Sequence, residues 1–282
     1  MKRLARPSAV QRLVEKHRAA GRRVGLVPTM GALHEGHASL VRRARRECDV
    51  VVVSIFVNPT QFGPREDFSR YPRTLGNDLK LLRREGCDLV FAPSVRDMYP
   101  EGFGTMVVPG PLASELEGAH RPGHFAGVAT VCVKLFTICK PHRAYFGAKD
   151  YQQALVVEQV AHHLNLDLRV VMCPTRRDLD GLALSSRNRF LSAAEREVAL
   201  ALPRAIREAA RVLRSGRATP RAAQRRGRAA LSRVKGLVPD YFEVRQADTL
   251  LPCSPKDRRV VILAAARVGK TRLIDNLRVF LN

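Results

Sequence analysis

Residues 50–57 read Val-Val-Val-Val-Ser-Ile-Phe-Val, a nearly unbroken run of β-branched and apolar side chains. A strand of that composition is at home only where both of its faces are covered, which is the situation of a parallel sheet flanked by helices. The neighbouring sequence repeats the theme. An apolar run, Val24–Met30, precedes a helical pattern that starts near His37 and aligns Leu40, Val41 and Ala44. Leu75–Glu85 reads as a helix stopped by Gly86, and Asp88–Phe91 as a strand. Gly127–Cys139 reads as a largely buried helix, Ala144–Phe146 as a short strand, Tyr151–Leu164 as a helix and Leu168–Met172 as a strand. Strand and helix in alternation predict an α/β fold, a Rossmann-like parallel sheet with helices on both faces. In such sheets ligands bind beyond the carboxyl ends of the strands.

From about Ser192 the character changes. A long Ala/Arg/Leu/Glu helix runs to Arg214 and stops at Gly216, and a second helical stretch covers Arg221 to Val234. Tyr241–Arg245 and Arg259–Ala264 read as strands, and a last strand-like run follows. This predicts a Rossmann-like domain over residues 1–184 and a smaller α+β domain over 185–282. At the start of the chain, Ser8 to Ala20 reads as an amphipathic helix, with Ser8 and Gln11 at capping-box spacing. No apolar signal-peptide core follows the basic first residues, and no run approaches the ~18–20 apolar residues of a membrane span. A cytoplasmic protein without a membrane role is expected. The six cysteines lie among apolar neighbours with no CxxC pair, as reduced, mostly buried small hydrophobes do.

The formal net charge is +23. Up to residue 180 there are 27 Lys/Arg against 18 Asp/Glu, and beyond it 22 against 8, so the excess is concentrated in the second domain. A basic patch can bind nucleic acid. However, Arg204, Arg207, Arg211 and Arg214 recur at helical spacing opposite Ala205, Ile206, Ala209 and Leu213, the pattern of a solvated helix face. No aromatic residues interleave with them, so a stacking surface for single strands is missing and no specific nucleic-acid partner is expected.

The stretch Val24-Gly-Leu-Val-Pro-Thr-Met-Gly-Ala-Leu-His-Glu-Gly-His37 carries the chemistry. Two histidines three residues apart, with a glycine between them, follow a buried strand and open a helix. Phosphates at that place meet unpaired N–H groups and the positive end of the helix dipole. His34 and His37 can add hydrogen bonds to oxygens that gain charge as pyrophosphate departs. A zinc site is disfavoured, because the spacing is not HExxH and no third ligand lies nearby. Gly269-Lys270-Thr271 imitates the end of a P-loop, but Ala264 stands where that motif needs glycine.

Five further segments complete the pattern: Asn58-Pro-Thr-Gln-Phe-Gly63, Tyr71-Pro-Arg-Thr74, Arg121-Pro-Gly-His-Phe125, Gly147-Ala-Lys-Asp-Tyr-Gln-Gln153 and Asp180-Gly-Leu-Ala-Leu-Ser-Ser-Arg-Asn188. In this order, and with the closing Thr271-Arg-Leu-Ile-Asp-Asn276, the chain resembles the pantothenate synthetase (pantoate–β-alanine ligase) family over essentially its whole length. That family belongs to the HIGH-type nucleotidyltransferases, together with class I aminoacyl-tRNA synthetases. The resemblance implies two steps: pantoate attacks the α-phosphorus of ATP to give pantoyl adenylate and pyrophosphate, and β-alanine then displaces AMP. Neither step needs a protein nucleophile, so catalysis should rest on positioning and charge stabilisation.

The resemblance assigns the roles as follows. Met30, Gly31, Ala32, Leu33, His34, Glu35, Gly36 and His37 line the ATP, with His34 and His37 on its phosphates. Gly147, Ala148, Lys149 and Asp150 form a second ATP segment, with Lys149 on phosphate and Asp150 facing the ribose. Arg176 and Leu184 flank the nucleotide, and Ser185, Ser186 and Arg187 resemble a KMSKS-type loop that clamps the β- and γ-phosphates. His37, His34, Lys149 and Arg187 are therefore the expected catalytic residues. Gln61 and Gln153 correspond to pantoate-binding glutamines, with Gln61 also reaching β-alanine, while Met30 and Phe56 form apolar walls, for which a plain core role competes. Arg121 and His124 lie in a matching loop near the site. Mg2+ is expected with ATP, a homodimer is implied, and the second domain is expected to act as a lid over the ATP site.

This chain departs from the family at Ala148, where an acidic residue is usual, and at Arg176, where an apolar one is. Leu184 replaces a common Met, and the acidic pair after Tyr-Pro-Arg-Thr is reduced to Asn77-Asp78. Two alternatives compete with the ligase: another HIGH-type adenylyltransferase and, in a different class, a basic RNA-binding protein.

Overall fold

A computed structural model describes residues 1–64 and 66–281. The chain divides into two compact units, Met1–Gly147 with Gln152–Pro174, and Ala148–Tyr151 with Thr175 onward. The change of unit thus falls at Thr175, earlier than the boundary after Leu184 expected from composition, and the second unit also takes a short piece out of the first.

The first unit is built on a parallel sheet. Its strands are β1 (Lys2–Leu4), β2 (Val24–Thr29), β3 (Val50–Ile55), β4 (Leu89–Phe91), β5 (Arg143–Gly147) and β6 (Arg169–Cys173), in the spatial order β1-β4-β3-β2-β5-β6. Along β3 the side chains alternate between two cores. Val50 and Val52 join Val10 and Val14 of helix Pro7–Ala19 and the apolar face of helix His124–Cys139. Val51 and Val53 join Leu40, Val41 and Ala44 of helix Glu35–Glu47 and Leu82 of helix Leu75–Arg84. Both faces are covered, which is why the run is apolar but for Ser54, itself buried and hydrogen-bonded to Thr29. From β2 the chain passes to β3 on one side, while β5 pairs with β2 on the other. This is a topological switch point, and the His34–His37 segment leaves the carboxyl end of β2 beside it.

Several local expectations need correction. The first helix begins at Pro7, with Arg6 as N-cap and no side-chain cap, so Ser8 lies inside the first turn. Proline presets φ there and has no N–H to lose. Lys2–Leu4 forms an edge strand parallel to β4, which the basic sequence did not suggest. Helix His124–Cys139 starts before Gly127, after Gly123 in the left-handed region.

The second unit carries helices Ala193–Ala199, Ala201–Arg214 and Pro220–Ser232 over an antiparallel sheet of β7 (Leu237–Gln246), β8 (Arg259–Val268) and β9 (Thr271–Phe280). The single helix expected from Ser192 to Arg214 is broken at Leu200. Pro203 is the cause: it has no N–H to give to the carbonyl of Ala199. Leu202, Ile206, Ala209 and Leu213 face the core, while Arg204, Arg207, Arg211 and Arg214 are exposed, as a solvated face requires. Gly269-Lys270 is the two-residue turn of the β8–β9 hairpin, closed by the pair Val268–Thr271. Gly269 has φ +54°, as the tight turn demands. All six cysteines are free, and burial pushes the thiols of Cys87, Cys132 and Cys139 up to about 12. No described helix is long and apolar enough to cross a membrane.

Candidate active site

After β2 the backbone turns through Gly31 (φ +80°) and Ala32 (φ +50°). Such a conformation at alanine needs outside support. Asp78, 2% exposed, supplies it: its carboxylate accepts hydrogen bonds from Ala32 N (3.1 Å), Leu33 N (2.9 Å) and Thr74 Oγ1 (3.1 Å). The carboxylate that remains of the expected acidic pair is thus a structural acceptor for the loop after β2. Thr29 adds a bond from its Oγ1 to the Ser54 carbonyl (2.7 Å) and accepts from Gly31 N (3.2 Å).

The loop delivers the chain into helix Glu35–Glu47, which begins two residues earlier than the pattern suggested, because the histidines themselves cap it. Nδ1 of His34 accepts from Gly36 N (3.1 Å), and Nδ1 of His37 accepts from His34 N (3.3 Å). The two rings lie 4.2 Å apart at 46°. A ring nitrogen that accepts a backbone N–H carries no proton, so each neutral imidazole is protonated at Nε2. Both side chains are therefore set as donors. Glu35, whose charge would repel phosphate, is exposed and ion-paired to Arg42.

Gln61 ends the short 3-10 turn Pro59–Gln61 and is 8% exposed, so it is no surface glutamine. Its orientation follows from a chain of hydrogen bonds that starts at a group able only to accept. The Gly127 carbonyl takes Asn58 Nδ2 (3.1 Å), and the same Nδ2 donates to Gln61 Oε1 (3.0 Å). Asn58 Oδ1 accepts from Tyr99 Oη (2.7 Å) and Thr60 Oγ1 (3.0 Å). Gln61 must then present Nε2 outward, where it meets Met30 Sδ at 3.1 Å. Thioether sulfur is a weak acceptor. The approach of helix His124–Cys139 that makes this possible needs Gly127, because a Cβ there would stand 2.2 Å from the Thr60 carbonyl oxygen.

Arg121 and His124 fix the other end of Gln61. His124 Nδ1 donates to the Gln61 carbonyl (2.8 Å), since Nε2 faces the Arg121 guanidinium at 2.9 Å and can only accept there. Burial, assisted by the Arg121 charge, lowers the His124 pKa to about 4. Arg121 grips Glu66 with two bonds of 2.7 Å. Burial would raise the Glu66 pKa, but the Arg121 bonds outweigh it and hold the carboxyl below its usual range. Phe56 is 6% exposed within the core, its ring 6.1 Å from that of Tyr99 and tilted 47° to it. Gln153 is half-buried on helix Tyr151–His163. Its neighbour Gln152 is a structural residue, bonded to Glu117 N and to the carbonyls of Leu112 and Glu115.

Gly147 closes β5, and Ala148–Asp150 forms a 3-10 turn in the second unit. Lys149 Nζ lies 3.5 Å from Asp150 Oδ1. Arg176 is exposed, and its carbonyl accepts from Leu184 N (2.9 Å), closing a hairpin around Gly181 (φ +93°). Ser185 caps the following turn, Ser186–Phe190, by accepting from Arg187 N (3.2 Å), and Ser186 is buried. Asn188 Nδ2 donates to the Ala183 carbonyl at 3.0 Å. Among the described residues no three His, Cys, Asp or Glu side chains cluster as a metal cage.

Tyr99 and Gly127 were not legible in sequence as part of the candidate site, and Asn58 was legible only as the first residue of the Asn58–Gly63 segment, without a role. Gly127 left one signal, a glycine inside an otherwise apolar helix.

Known proteins carry the same pattern. The sequence model of the Pantoate-beta-alanine ligase family matches residues 2–278. The pantothenate synthetase of Nocardia farcinica is 53% identical over 275 residues, 98% of this chain and 85% of that protein. The pantothenate synthetase of Alkalilimnicola ehrlichii is 50% identical, covering 100% of this chain and 99% of that protein. Pantothenate synthetase from Thermus thermophilus superposes with a TM-score of 0.94 at 48% identity, covering 99% and 100% of the two chains. Pantoate-beta-alanine ligase from Francisella tularensis, solved with beta-gamma ATP and beta-alanine, gives 0.81 at 34% identity over 98% and 97%. With these matches along nearly its full length, the chain belongs to the pantoate–β-alanine ligase family.

Proposed function

We propose that this enzyme condenses pantoate with β-alanine through a pantoyl adenylate. A pantoate carboxylate oxygen bonds to the α-phosphorus of ATP as the bond to the pyrophosphate oxygen breaks. The neutral amine of β-alanine then bonds to the acyl carbon, the bond to the AMP oxygen breaks, and the amine gives up a proton.

The observation that carries this reading is the pairing, at the carboxyl ends of β2 and β3, of two imidazoles set as Nε2–H donors with a buried glutamine set as an Nε2–H donor. The imidazoles suit the phosphate oxygens that gain charge in the first step. Gln61, with Gln153, suits the attacking carboxylate. A neutral amide orients that group without holding its charge as an arginine fork does, so it stays nucleophilic. Met30 and Phe56 offer apolar surface to the branched carbon of pantoate.

For the nucleotide, the first unit offers Gly31–His37 and Gly147, and the second unit Ala148–Asp150, Arg176 and Leu184–Arg187, with the charges of Lys149 and Arg187. The exposed side chain of Arg176 leaves its backbone to serve the base. Mg2+ comes as the companion of ATP, held by the phosphates and by water. A cytoplasmic homodimer is the expected setting. The test is an assay of ATP with pantoate, with and without β-alanine, following pyrophosphate and AMP separately. Pyrophosphate that requires pantoate, and AMP that requires β-alanine, is the expected result. Pyrophosphate release indifferent to pantoate refutes it.

A further inference from the structure

On a strand, successive side chains point to opposite faces. Along β9, Thr271, Leu273, Asp275 and Val279 are buried while Arg278 and Phe280 are exposed. Asn276 falls on the outer set by this alternation, yet it is only 6% exposed. The turn Ala148–Asp150, which belongs to the same compact unit, accounts for that burial. Asn276 Nδ2 donates to the carbonyls of Ala148 and Lys149, both at 2.8 Å. Those carbonyls belong to the two peptide groups on either side of the Lys149 Cα. Holding both planes fixes the backbone angles of Lys149 and with them the direction in which its side chain leaves the chain.

Asp275 does the equivalent for a second segment. Its carboxylate, 3% exposed, takes both terminal nitrogens of Arg177 at 2.7 and 2.8 Å. Such a planar two-bond pair fixes geometry as well as charge. The same guanidinium donates to the Gly181 carbonyl (3.1 Å) and the Asn276 carbonyl (3.2 Å). Arg177 pairs with Ala183 across the hairpin that runs directly into Leu184 and Ser185–Arg187. Asp275 Oδ1 also accepts from Asn276 N (2.7 Å), which joins the two anchors.

We propose that Asp275 and Asn276 are positioning residues for adenylation, one dipeptide of β9 setting both the lysine turn and the root of the Ser185–Arg187 segment. The proposal rests on the functional reading above, in which Lys149 and Arg187 serve the phosphates. With both cations taken as meeting the β- and γ-phosphates, which leave in the first step, the second step does not need them. A positioning role therefore damages adenylation and spares amide formation, whereas a purely structural role lowers both through loss of folded protein.

The experiment compares wild type with Asn276→Ala and with Arg177→Lys, which keeps the charge but not the fork. Pantoate-dependent pyrophosphate release is measured against ATP concentration, and amide formation is measured from synthetic pantoyl adenylate and β-alanine. A displacement of about 1 Å can cost on the order of 100-fold. The expected result is a fall of about ten- to 100-fold in kcat/KM for ATP, with amide formation at the wild-type rate. Asn276→Ala placed on Lys149→Ala should add little further loss, because the anchor acts through the lysine. Asn276→Ser keeps one donor and should fall between; it replaces Asn276→Ala should that protein not fold. Equal loss in both steps, full additivity with Lys149→Ala, or unaltered ATP kinetics overturns the proposal. Absence of pantoate-dependent pyrophosphate release from wild type overturns the functional reading first, so the two failures are distinct.

Discussion

Gly127→Ala adds one methyl group to a helix and should disable a residue sixty-six positions away in sequence, Gln61. The added Cβ would lie 2.2 Å from the Thr60 carbonyl oxygen, 2.5 Å from its carbon and 2.7 Å from Gln61 N. All three are backbone atoms, so no side chain can swing away. Bringing the shortest contact even to 3.0 Å parts the helix and the turn by about 0.8 Å. Overpacking of this kind costs typically about 1–3 kcal/mol of stability. The same separation stretches the bond from Asn58 Nδ2 to the Gly127 carbonyl, the anchor that decides which way the Asn58 and Gln61 amides face. A shift near 1 Å in a substrate-orienting group can lower the rate on the order of 100-fold. The assay is pantoate-dependent pyrophosphate release at saturating ATP, with a thermal melt alongside. We expect kcat/KM for pantoate to fall by about ten- to 100-fold, well beyond what the modest drop in melting temperature explains at assay temperature. Wild-type kinetics in Gly127→Ala refutes the reasoning, because the donor would then be placed by something other than this close approach.

Replacing both His34 and His37 by alanine should nearly abolish adenylation, since each lost transition-state donor costs about 2.7–4 kcal/mol; persistence of pyrophosphate release in the double variant would count against the phosphate role. His124 contributes a pH dependence of known sign. Its folded pKa is lowered to about 4 from 6.5, so the unfolded chain binds the proton more readily between those values, and stability is full above about 6.5 and lost as pH falls toward 4. That amounts to about 3 kcal/mol, and His124→Gln should flatten this part of the stability–pH curve measured by denaturant titration. In Asp78→Asn an amide N–H group would face one of the N–H donors of Ala32 and Leu33, costing about 1–3 kcal/mol; equal stability and equal ATP kinetics in the variant would show that the loop does not depend on the carboxylate.

The sheet was legible because its strands are buried on both faces, and such runs have few other places to go. Edge strand β1 was not, since two basic residues and one leucine give neither alternation nor an apolar run. The break at Leu200 was legible in principle, through Pro203, but the surrounding amphipathic pattern continues in phase and hides it. At the site, the histidines and the glutamine announced themselves by motif. The residues that orient them did so less: Gly127 and Tyr99 act across long sequence separations, and Asn58, though in the same segment as Gln61, acts through individual atoms. Asp78 illustrates the difference. In sequence it looked like half of a lost acidic pair, whereas in the fold it carries the strained loop at Ala32.

Imidazole and amide side chains share an ambiguity, in that each can donate or accept from similar positions. In this chain the ambiguity is removed by backbone groups that have none. Peptide N–H groups of His34 and Gly36 occupy the Nδ1 atoms and leave Nε2–H as the donor. The Gly127 carbonyl occupies Asn58 Nδ2, which in turn occupies Gln61 Oε1 and leaves Nε2–H as the donor. On the proposed function, anionic substrates would therefore meet donors of fixed polarity without meeting extra charge at these places. Fixed neutral dipoles gain most where charge develops, while a full cation also stabilises the reactant and so does less for the rate. On that argument, exchanging Gln61 for a lysine of similar reach should tighten pantoate binding and slow its attack on phosphorus, a split between KM and kcat that a loss of shape alone does not produce.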